Sequence, residues 1–417
     1  MIYIMITYSI RLFPNQEQIS QLQNLSDIRM DIWNTLIDIQ QKEYETNKKI
    51  LNKFQLYNQI PILKHSIKPN WNDFNSKAAQ TVATEIFQSY QSFFTLIKKD
   101  KTARPPRKRD NPIFFHTLNF NQSGWSIKND KFIINQIPFY YKTKVTNLSE
   151  LNIKEIRVKF KNEKWLCDIV VDNKNEYKDT LSVNAIVLAI DLGIKNLGYC
   201  VDNKGNVIVI RNKSKKINKY FSKQINNVKS KLSKKEKGSK SYIKLNNTKS
   251  KLYSKKNNQI KQTLHIQSKK LVNMNYNTIV IGDLTVKSLM STTGVNKNKK
   301  SLRKSFDESN INMFLQFLKY KSQFKQNNIT KIDEKYTTQL NSLTGKMLPE
   351  KVELNQRTVK LNDNVIIDRD LNAVINIMKR YYDNHLASMT EPLDYSNVIM
   401  NFNVCNNQSL NGKFIIV

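Results

Sequence analysis

The stretch AIVLAIDLGIKNLGYCVDNKGNVIVI (185–210) decides the fold prediction. Its first seven residues form a continuous apolar run that ends in Asp191, and GYCVD (198–202) and NVIVI (206–210) follow as two further strand-like segments. Short apolar runs bounded by turn residues are typical of buried strands. The stretch therefore predicts three adjacent strands, with an acid at the end of the first.

Two later segments complete an order that is typical of RNase H-like nucleases. NTIVIGDL (277–284) predicts another buried strand, and IIDRDLNAVINIMKR (366–380) predicts a helix with acids at its start. Hydrolysis of a phosphodiester by two metal ions needs hard oxygen ligands that converge from separate elements, so that water is activated and the leaving oxygen is stabilised. One aspartate at a strand end is more often a cap or a turn residue. Only the combination of a strand ending in an acid, a second buried strand and a helix that starts with acids, in this order, indicates a nuclease-type site.

The composition favours a polyanionic partner. The chain has 417 residues, with 68 Lys and Arg against 34 Asp and Glu, which gives a formal net charge of +34. Neutralised phosphates release counterions, so such an excess favours nucleic acid. A coding bias towards Lys and Asn also raises the lysine count, but it removes no acids. A chain of this length predicts two or three structural units.

The sequence predicts no membrane-spanning helix, no disulfide framework and no cysteine-based zinc site. No run approaches the roughly 18 apolar residues of a spanning helix. Cys167, Cys200 and Cys405 are far apart and odd in number, so they predict neither disulfides nor a cysteine-based zinc site. The apolar N-terminus predicts a strand and not a signal peptide. We therefore expect a cytoplasmic, nucleoid-associated bacterial protein with no membrane partner.

Two basic segments are candidate nucleic-acid contacts. KKDKTARPPRKRD (98–110) is stiffened by two prolines, and 211–270 carries twenty Lys or Arg and the single acid Glu236. In 211–270, apolar residues recur at spacings of three and four, which predicts a helix with an apolar seam and a basic outer face; these are Ile217, Phe221, Ile225, Val228 and Leu232. The alternatives are a solvated linker and a solvated helix face. The candidate contact residues are Arg104, Arg107, Lys108, Arg109, Lys215, Lys216, Lys234, Lys235, Lys255 and Lys256.

The N-terminal half predicts a β unit interrupted by helices. Residues 3–13 predict a strand closed by Pro14, and helical periodicity begins at Asn15, a candidate N-cap, and recurs to about residue 97. Short strand-like segments then suggest a small barrel; they are 113–120, 124–128, 131–135, 154–160 and 165–172.

The chain resembles the TnpB proteins of transposons and the miniature type V-F CRISPR effectors. DLGIKNLGYCVDNKG (191–205), IVIGDLTVKSL (279–289) and DRDLNAVINI (368–377) resemble the three RuvC motifs of that family in the family's order. Flanking segments resemble it too: YSIRLFPNQEQ, PPRKR, His265, LQFLKYKSQF and KIDEKYTTQ. The resemblance covers nearly the whole chain and implies an RNA-guided DNA-binding protein.

The resemblance also implies a domain plan and an α+β multidomain fold class. An RNase H-like (RuvC) domain spans 183–390, and a wedge-like β-barrel spans 1–15 and 105–180, with a helical recognition insertion over 16–104. Inside the RuvC domain lie the basic helical segment 211–270 and a degenerate zinc-finger region, 337–366. The tail 391–417 has weak strand character and no predicted role.

At the site, the resemblance assigns Asp191 and Asp370 as catalytic aspartates and metal ligands, with Asp368 as a further candidate. The family's second motif reads Glu-Asp-Leu, whereas this chain reads Gly282-Asp283-Leu284. Adjacent strand residues point to opposite faces, so Asp283 is a poor substitute for the missing glutamate. We therefore expect Mg²⁺ to bind weakly or not at all. The alternative is rescue by a neighbouring acid such as Asp368 or Asp333.

Zinc is a second departure from the family. Its members commonly carry paired cysteines after a Tyr-Thr-Ser sequence and again before the third motif. Here Asn341 and Thr344 occupy the first pair of positions, and TVKLNDNVIID (358–368) contains no cysteine. Neutral amides and hydroxyls are poor zinc ligands, so the sequence predicts no bound zinc.

The leading functional hypothesis is a nuclease-dead, RNA-guided DNA-binding protein that regulates transcription. It would bind a guide RNA and a double-stranded DNA target beside a short flanking motif, and would block RNA polymerase or recruit it, for example through a sigma-like factor. The first alternative is a transposon-associated RNA-guided DNA endonuclease with an atypical RuvC site. The second is a basic RNA-binding protein that keeps the RuvC fold as a scaffold and uses no guide.

Overall fold

The computed structural model describes residues 2–109, 115–145, 147–175, 186–283, 297–353, 356–385, 394–402 and 415–417. The chain divides into two compact units, Met1–Lys174 and Asn175–Val417. Among the described residues, no helix is long and apolar enough to cross a membrane.

The first unit is built on a seven-stranded, nearly closed sheet in the order β2-β6-β7-β1-β5-β4-β3. The pairings β2–β6, β6–β7, β1–β5, β5–β4 and β4–β3 are antiparallel. The strands are β1 (Ile2–Phe13), β2 (Leu118–Asn121), β3 (Trp125–Lys128), β4 (Lys131–Ile134), β5 (Ile137–Lys142), β6 (Ile153–Lys161) and β7 (Lys164–Asn175).

Three helices lie between β1 and β2 in the chain: α1 (Gln16–Asn47), α2 (Lys53–Ser66) and α3 (Ser76–Ile97). Asn15 caps α1 as predicted, because its side chain accepts from the Gln18 amide while the Gln18 side chain accepts from the Asn15 amide. The predicted apolar stripes form the core, with Ile32, Leu36 and Ile86 fully buried. The helices therefore pack through the faces that the periodicity predicts.

The strand predictions for this unit are largely confirmed, with one omission. Residues 113–114 lie outside the described residues, and β2 begins at Leu118. Strand β5 was not predicted, because Pro138 interrupts its short apolar run and proline is rare inside paired strands. It nevertheless pairs with both β1 and β4.

The second unit is built on a six-stranded mixed sheet in the order β12-β11-β8-β9-β10-β15. Strands β8, β9 and β10 are the three adjacent strands that the sequence predicts; they pair antiparallel, and β11 adds parallel to β8. The bounds are β8 (Val187–Leu192), β9 (Asn196–Asp202), β10 (Val207–Arg211), β11 (Thr278–Gly282), β12 (Asn328–Ile332) and β15 (Ile415–Ile416). A separate hairpin pairs β13 (Thr358–Asn362) with β14 (Val365–Asp368).

Helices cover both faces of this six-stranded sheet. Val187 and Ala189 of β8 point to the core beneath α8 (Arg369–His385), whereas Leu188 and Ile190 point to the core formed with α5 (Lys240–Val272). The other helices among the described residues are α4 (Ser214–Leu232), α6 (Lys297–Ser309), α7 (Ile311–Phe324) and α9 (Ser396–Asn401). The mixed α/β, multidomain fold class is therefore confirmed. Of the tail, 394–402 and 415–417 are described, and β15 pairs parallel to β10.

Candidate functional site

Side-chain alternation places three positions on the face of the sheet that α8 covers. Asp191 continues the α8-facing series of Val187 and Ala189, and Gly282 stands two residues after the α8-facing Val280. Ile332 of β12 also points to this core, and Glu334, two residues beyond the end of β12, lies beside Gly282. Strands β8, β11 and β12 therefore end around one space.

Helix α8 brings two more acids to this space. Asp368 Oδ1 accepts the Asp370 amide at 2.8 Å and the Leu371 amide at 3.4 Å, which caps the start of α8. Asp370 Oδ1 accepts from the Arg369 guanidinium at 3.2 Å, and its Oδ2 lies 3.9 Å from Arg357 Nη1. The predicted residues Asp191, Asp368 and Asp370 thus lie in one neighbourhood. Two of them have local partners there.

The acids act on one another electrostatically. Burial raises the pKa of Asp191 well above its ordinary value, and the charges of Asp370 and Glu334 raise it further. Burial also raises the pKa of Asp368, with Asp370 as the next cause. Desolvation and like charges both disfavour ionised carboxylates. The cluster therefore concentrates negative charge that a bound cation would relieve.

Glu334 is the residue that the sequence analysis missed. A Cβ atom built on Gly282 would lie 2.5 Å from Glu334 Oε2 and 3.3 Å from Glu334 Cβ, so the Glu334 side chain fills the space beside the glycine. Glu334 Oε2 is buried and accepts no hydrogen bond from the described residues. Burial, followed by Asp283 and Asp333, raises the pKa of Glu334 to about 7. The sequence signal that could have identified Glu334 is its position in KIDEKY, directly after β12, the strand that pairs parallel to β11.

Of the other acids considered for rescue, Asp283 and Asp333 point elsewhere, whereas Asp368 lies near Asp191 but is engaged as a helix cap. Asp283 Oδ1 lies 2.6 Å from Lys331 Nζ, as expected for a side chain on the opposite face from residue 282. Asp333 is exposed, and its Oδ1 accepts from the Lys335 amide at 2.9 Å. Asp368 caps α8 and lies near the Tyr199 hydroxyl, 3.4 Å from it. Leu284 and the rest of the second motif lie outside the described residues.

The donor chemistry of the site fits divalent cations, because carboxylate oxygens are the hard ligands that Mg²⁺ and Mn²⁺ prefer. The buried, unsatisfied oxygen of Glu334 is the specific observation in favour of such an ion. Among the described residues, no three His, Cys, Asp or Glu side chains lie together as a group that could hold a metal ion. Asp370 is turned to Arg369 instead. A bound cation would supply water activation and stabilisation of the leaving oxygen.

The basic segment 211–270 forms a helical hairpin of α4 and α5. Phe221 and Ile225 are buried along the predicted seam, and Ile217 packs against the core between α5 and the six-stranded sheet. Lys215, Lys216, Lys234, Lys235 and Lys255 are exposed. Lys256 is half-buried, and its ammonium lies 5.7 Å from the centre of the Tyr253 ring. The hairpin therefore combines an apolar seam with exposed lysines.

The segment containing Arg104, Arg107, Lys108 and Arg109 serves partly as an anchor to α1. The Arg109 guanidinium stacks on Trp33 at 3.8 Å, and burial, followed by the charge of Arg29, lowers its pKa to about 10. Lys108 lies 2.7 Å from Asp38, whereas Arg104 and Arg107 are exposed. Arg109 thus has a packing role, and nucleic-acid contact by the whole group stays a prediction.

Asn341 makes side-chain hydrogen bonds in the region 337–366, where the family's paired cysteines are missing. Asn341 Nδ2 donates to the Leu361 carbonyl at 2.7 Å, and Asn341 Oδ1 accepts from the Leu343 amide at 2.9 Å. Val352, Val359 and Leu361 are buried nearby. Hydrogen bonds and apolar contacts therefore connect the segments that paired cysteines would otherwise join. Zinc content stays a prediction, and Cys405 lies outside the described residues.

Three family models match the chain in sequence. OrfB_IS605, described as a probable transposase, matches residues 168–293. The Cas12f1-like TNB domain matches 312–377, and HTH_OrfB_IS605, described as a helix-turn-helix domain, matches 1–49. Within 1–49 the structure has one strand and one long helix. No curated protein matches the chain.

Solved structures resemble the chain at low sequence identity. The protein of a Cas12f1–sgRNA–target DNA complex aligns with a TM-score of 0.53 and 13% identity, covering 90% of this chain and 98% of that one. A CRISPR–Cas12f ternary complex aligns with a TM-score of 0.31 and 13% identity over 87% of this chain and 81% of that one. The first likeness shows a shared fold. The three family models together match residues 1–49, 168–293 and 312–377. The chain therefore belongs to the TnpB and type V-F (Cas12f-like) family.

Proposed function

We propose that this chain is an RNA-guided DNA endonuclease, which corresponds to the first alternative from the sequence. The observation that carries the proposal is geometric: Glu334 lies beside Gly282, on the α8-facing side of the sheet to which Asp191 also belongs. Hydrolysis by two metal ions needs carboxylates that share one space. Gly282 alone argued against this activity, and Glu334 fills the space beside it.

Guide RNA would be held by the basic surfaces. The hairpin of α4 and α5 carries most of the twenty cationic residues of 211–270 against one acid. A phosphate backbone neutralises such a surface and releases counterions. Sequence would be read by pairing between guide and target, while the protein contacts backbone and a short flanking DNA motif. The Cas12f1 structure that shares this fold is a complex with sgRNA and target DNA, which supports these partners.

A second candidate function is the nuclease-dead regulator. The glycine in the second motif favours it, because residue 282 has no carboxylate to offer. Such a protein would stay on its target without cutting, and would block RNA polymerase or recruit it, for example through a sigma-like factor. The two functions share guide and target, so they differ only in the fate of the bound DNA.

The test begins with the RNA that copurifies with the full-length chain. Sequencing this RNA after a high-salt wash should reveal one dominant species, and a duplex that matches it should then be incubated with the complex in Mg²⁺ or Mn²⁺. We expect strand breaks by the wild type and none by Asp191→Ala, with similar DNA binding by both proteins. Tight binding without breaks in the wild type would establish the regulator. A random RNA mixture would leave only the unguided RNA-binding protein.

A further inference from the structure

We propose that a groove between α5 and α7 binds a nucleoside phosphate, namely an unpaired nucleotide of the RNA that the protein carries. This α5–α7 groove has a volume of about 600 Å³, and it is lined by residues of α5 between Asn258 and Lys269 and by Lys321 of α7. It does not include the acids around Asp191. The inference rests on the proposed function only for its RNA partner.

One face of α5 supplies most of the groove. The lining residues of α5 recur at spacings of three and four, so they share one face of the helix. They are Asn258, Lys261, Gln262, His265, Ile266 and Lys269. Ile260, Leu264 and Leu271 lie on another face, in the core formed with the six-stranded sheet. The face of α5 that lines the groove is therefore not used to pack on the sheet.

Three ammonium groups border the α5–α7 groove, and none of the described residues that line it is an acid. Lys261 and Lys269 are exposed. Lys321 Nζ comes from α7 and donates to the His265 carbonyl at 2.6 Å and to Ser268 Oγ at 2.8 Å. Neighbouring cations repel one another, and an anion between them relieves that repulsion. Phosphate fits such a group because it accepts several charge-assisted hydrogen bonds.

A flat ring is fixed in the wall of the groove. The His265 ring stacks on Phe317 of α7, with centres 3.8 Å and planes 12° apart, and the Tyr320 hydroxyl lies 3.2 Å from His265 Nδ1. Burial, followed by the charges of Lys321 and Lys261, lowers the pKa of His265, so the ring is neutral at pH 7. A neutral ring held in one orientation offers a stacking surface to a nucleobase, which a free phosphate would not need.

The other lining residues suit the remainder of a nucleotide. The Ile266 side chain is apolar and 51% exposed, beside His265 in the chain, and a stacked base would cover it. Asn258 and Gln262 are exposed on the same face and offer amide donors and acceptors, which can pair with the edge of a base. The volume lies within the roughly 300–1,000 Å³ of small-molecule sites. Cations, ring and amides together therefore favour a nucleoside phosphate.

The course of α5 indicates RNA as the source of this nucleotide. The same helix forms the second arm of the basic hairpin, and Lys255 and Lys256 precede the groove by about one turn. An RNA backbone that follows these lysines along α5 reaches Lys261 and Lys269. Proteins recognise RNA mainly through unpaired bases that are splayed out and stacked on side chains. The groove would take one such base with its phosphate.

The first test irradiates the purified RNA complex of the full-length chain with ultraviolet light and maps nucleotide adducts by mass spectrometry. We expect one position of the RNA to be joined to residues 261–269. Adducts elsewhere in the chain with none on 261–269 would overturn the proposal, as would adducts there from target DNA in place of RNA. A free nucleotide released on denaturation from the RNA-free chain would contradict RNA as the source.

Paired variants then measure the contribution of the ring to binding of the copurified RNA. His265→Ala should weaken binding at least about fivefold, since loss of an aromatic contact to a base has an effect of this size. His265→Phe keeps a flat ring and should bind like the wild type. Thermal unfolding checks that both variants are folded. Equal affinities of wild type and folded His265→Ala would overturn the stacking role.

The cationic part has a matched control in the neighbouring residue. Lys269→Gln should reduce the steepness of the slope of log K against log salt by about 0.7, the effect of one phosphate of a single strand. Lys270 is equally exposed on α5 but does not line the groove, so Lys270→Gln should keep the slope. Equal slopes for the two variants would contradict the site. Neither measurement needs target DNA or a cation, so a negative result leaves RNA-guided cleavage standing, and a lack of strand breaks leaves the groove standing.

Discussion

Two aspartates on neighbouring strands show how differently one residue type is used. Asp202 accepts from the amides of Lys204 and Asn206, from Asn206 Nδ2 and from the Tyr276 hydroxyl, so its charge is satisfied in the turn after β9. Asp191 stands among other acids, and burial and Asp370 raise its pKa. The first acid stabilises the fold. The second lowers stability in the absence of a cation, which is typical of residues kept for chemistry.

The same substitution at these two acids should therefore have opposite effects. Asp191→Asn removes a repelled charge at constant shape, and we expect it to stabilise the metal-free chain by about 1 kcal/mol, or about 2–4 °C for a unit of this size. Asp202→Asn replaces an acceptor oxygen by a donor and should lower the unfolding temperature. Thermal scans in EDTA check both, and a destabilised Asp191→Asn would contradict the role of repulsion.

At the scale of elements, the packing of α5 against α7 joins His265 to LQFLKYKSQF, two segments that the family resemblance had singled out separately. The His265 ring stacks on Phe317 with ring centres 3.8 Å apart. Lys321 Nζ donates to the His265 carbonyl at 2.6 Å and to Ser268 Oγ at 2.8 Å. Burial, followed by the charge of Lys269, lowers the pKa of Lys321 to about 8. These residues therefore form a helix contact.

Lys321 gives this contact a pH dependence. The unfolded chain keeps the ordinary lysine pKa of 10.5, so the folded chain binds fewer protons between pH 8 and 10.5, and its stability rises with pH in that window. Relative to Lys321→Met, the wild type should gain unfolding temperature from pH 8 to pH 10.5. A constant difference across the whole range would show that Lys321 is not desolvated.

At the scale of the whole molecule, charge dominates the expected behaviour. A net charge of +34 on 417 residues is self-repelling, and a bound polyanion removes that repulsion. The hairpin of α4 and α5 concentrates this charge on one helical pair, in which α5 packs on the six-stranded sheet through Ile260, Leu264 and Leu271. We therefore expect RNA to bind with a steep salt dependence.

Replacing four exposed lysines by glutamine should reduce that dependence; they are Lys215, Lys216, Lys234 and Lys235. Each lost phosphate contact reduces the steepness of the slope of log K against log salt by about 0.7–0.9, so the loss of four contacts should reduce it by about 2.8–3.6. The unfolding temperature should stay constant, because these side chains are exposed. Binding titrations with the copurified RNA between low and moderate salt give the slope, and an unchanged slope would place the RNA elsewhere.

Local sequence patterns were sufficient to predict many of the helices and strands of this protein. The strands around Asp191, the helix that opens at Asp368, the cap at Asn15 and the apolar seam of α4 follow from periodicity and capping, which act over a few residues. Strand β5 escaped this reasoning because of its proline, and β15 because two residues carry almost no pattern. The packing role of Arg109 depends on Trp33, a contact between distant parts of the chain.

The side chain that stands beside the position of the missing glutamate was decided by tertiary structure alone. Sequence motifs showed that residue 282 has no carboxylate, and they could not show what stands beside it. Glu334 reaches that space because β12 pairs parallel with β11 in one register, and because residue 282 has no Cβ to keep it out. Strand register and the volume beside a glycine are set by the packing of the whole sheet against α8, so no local window of sequence contains them.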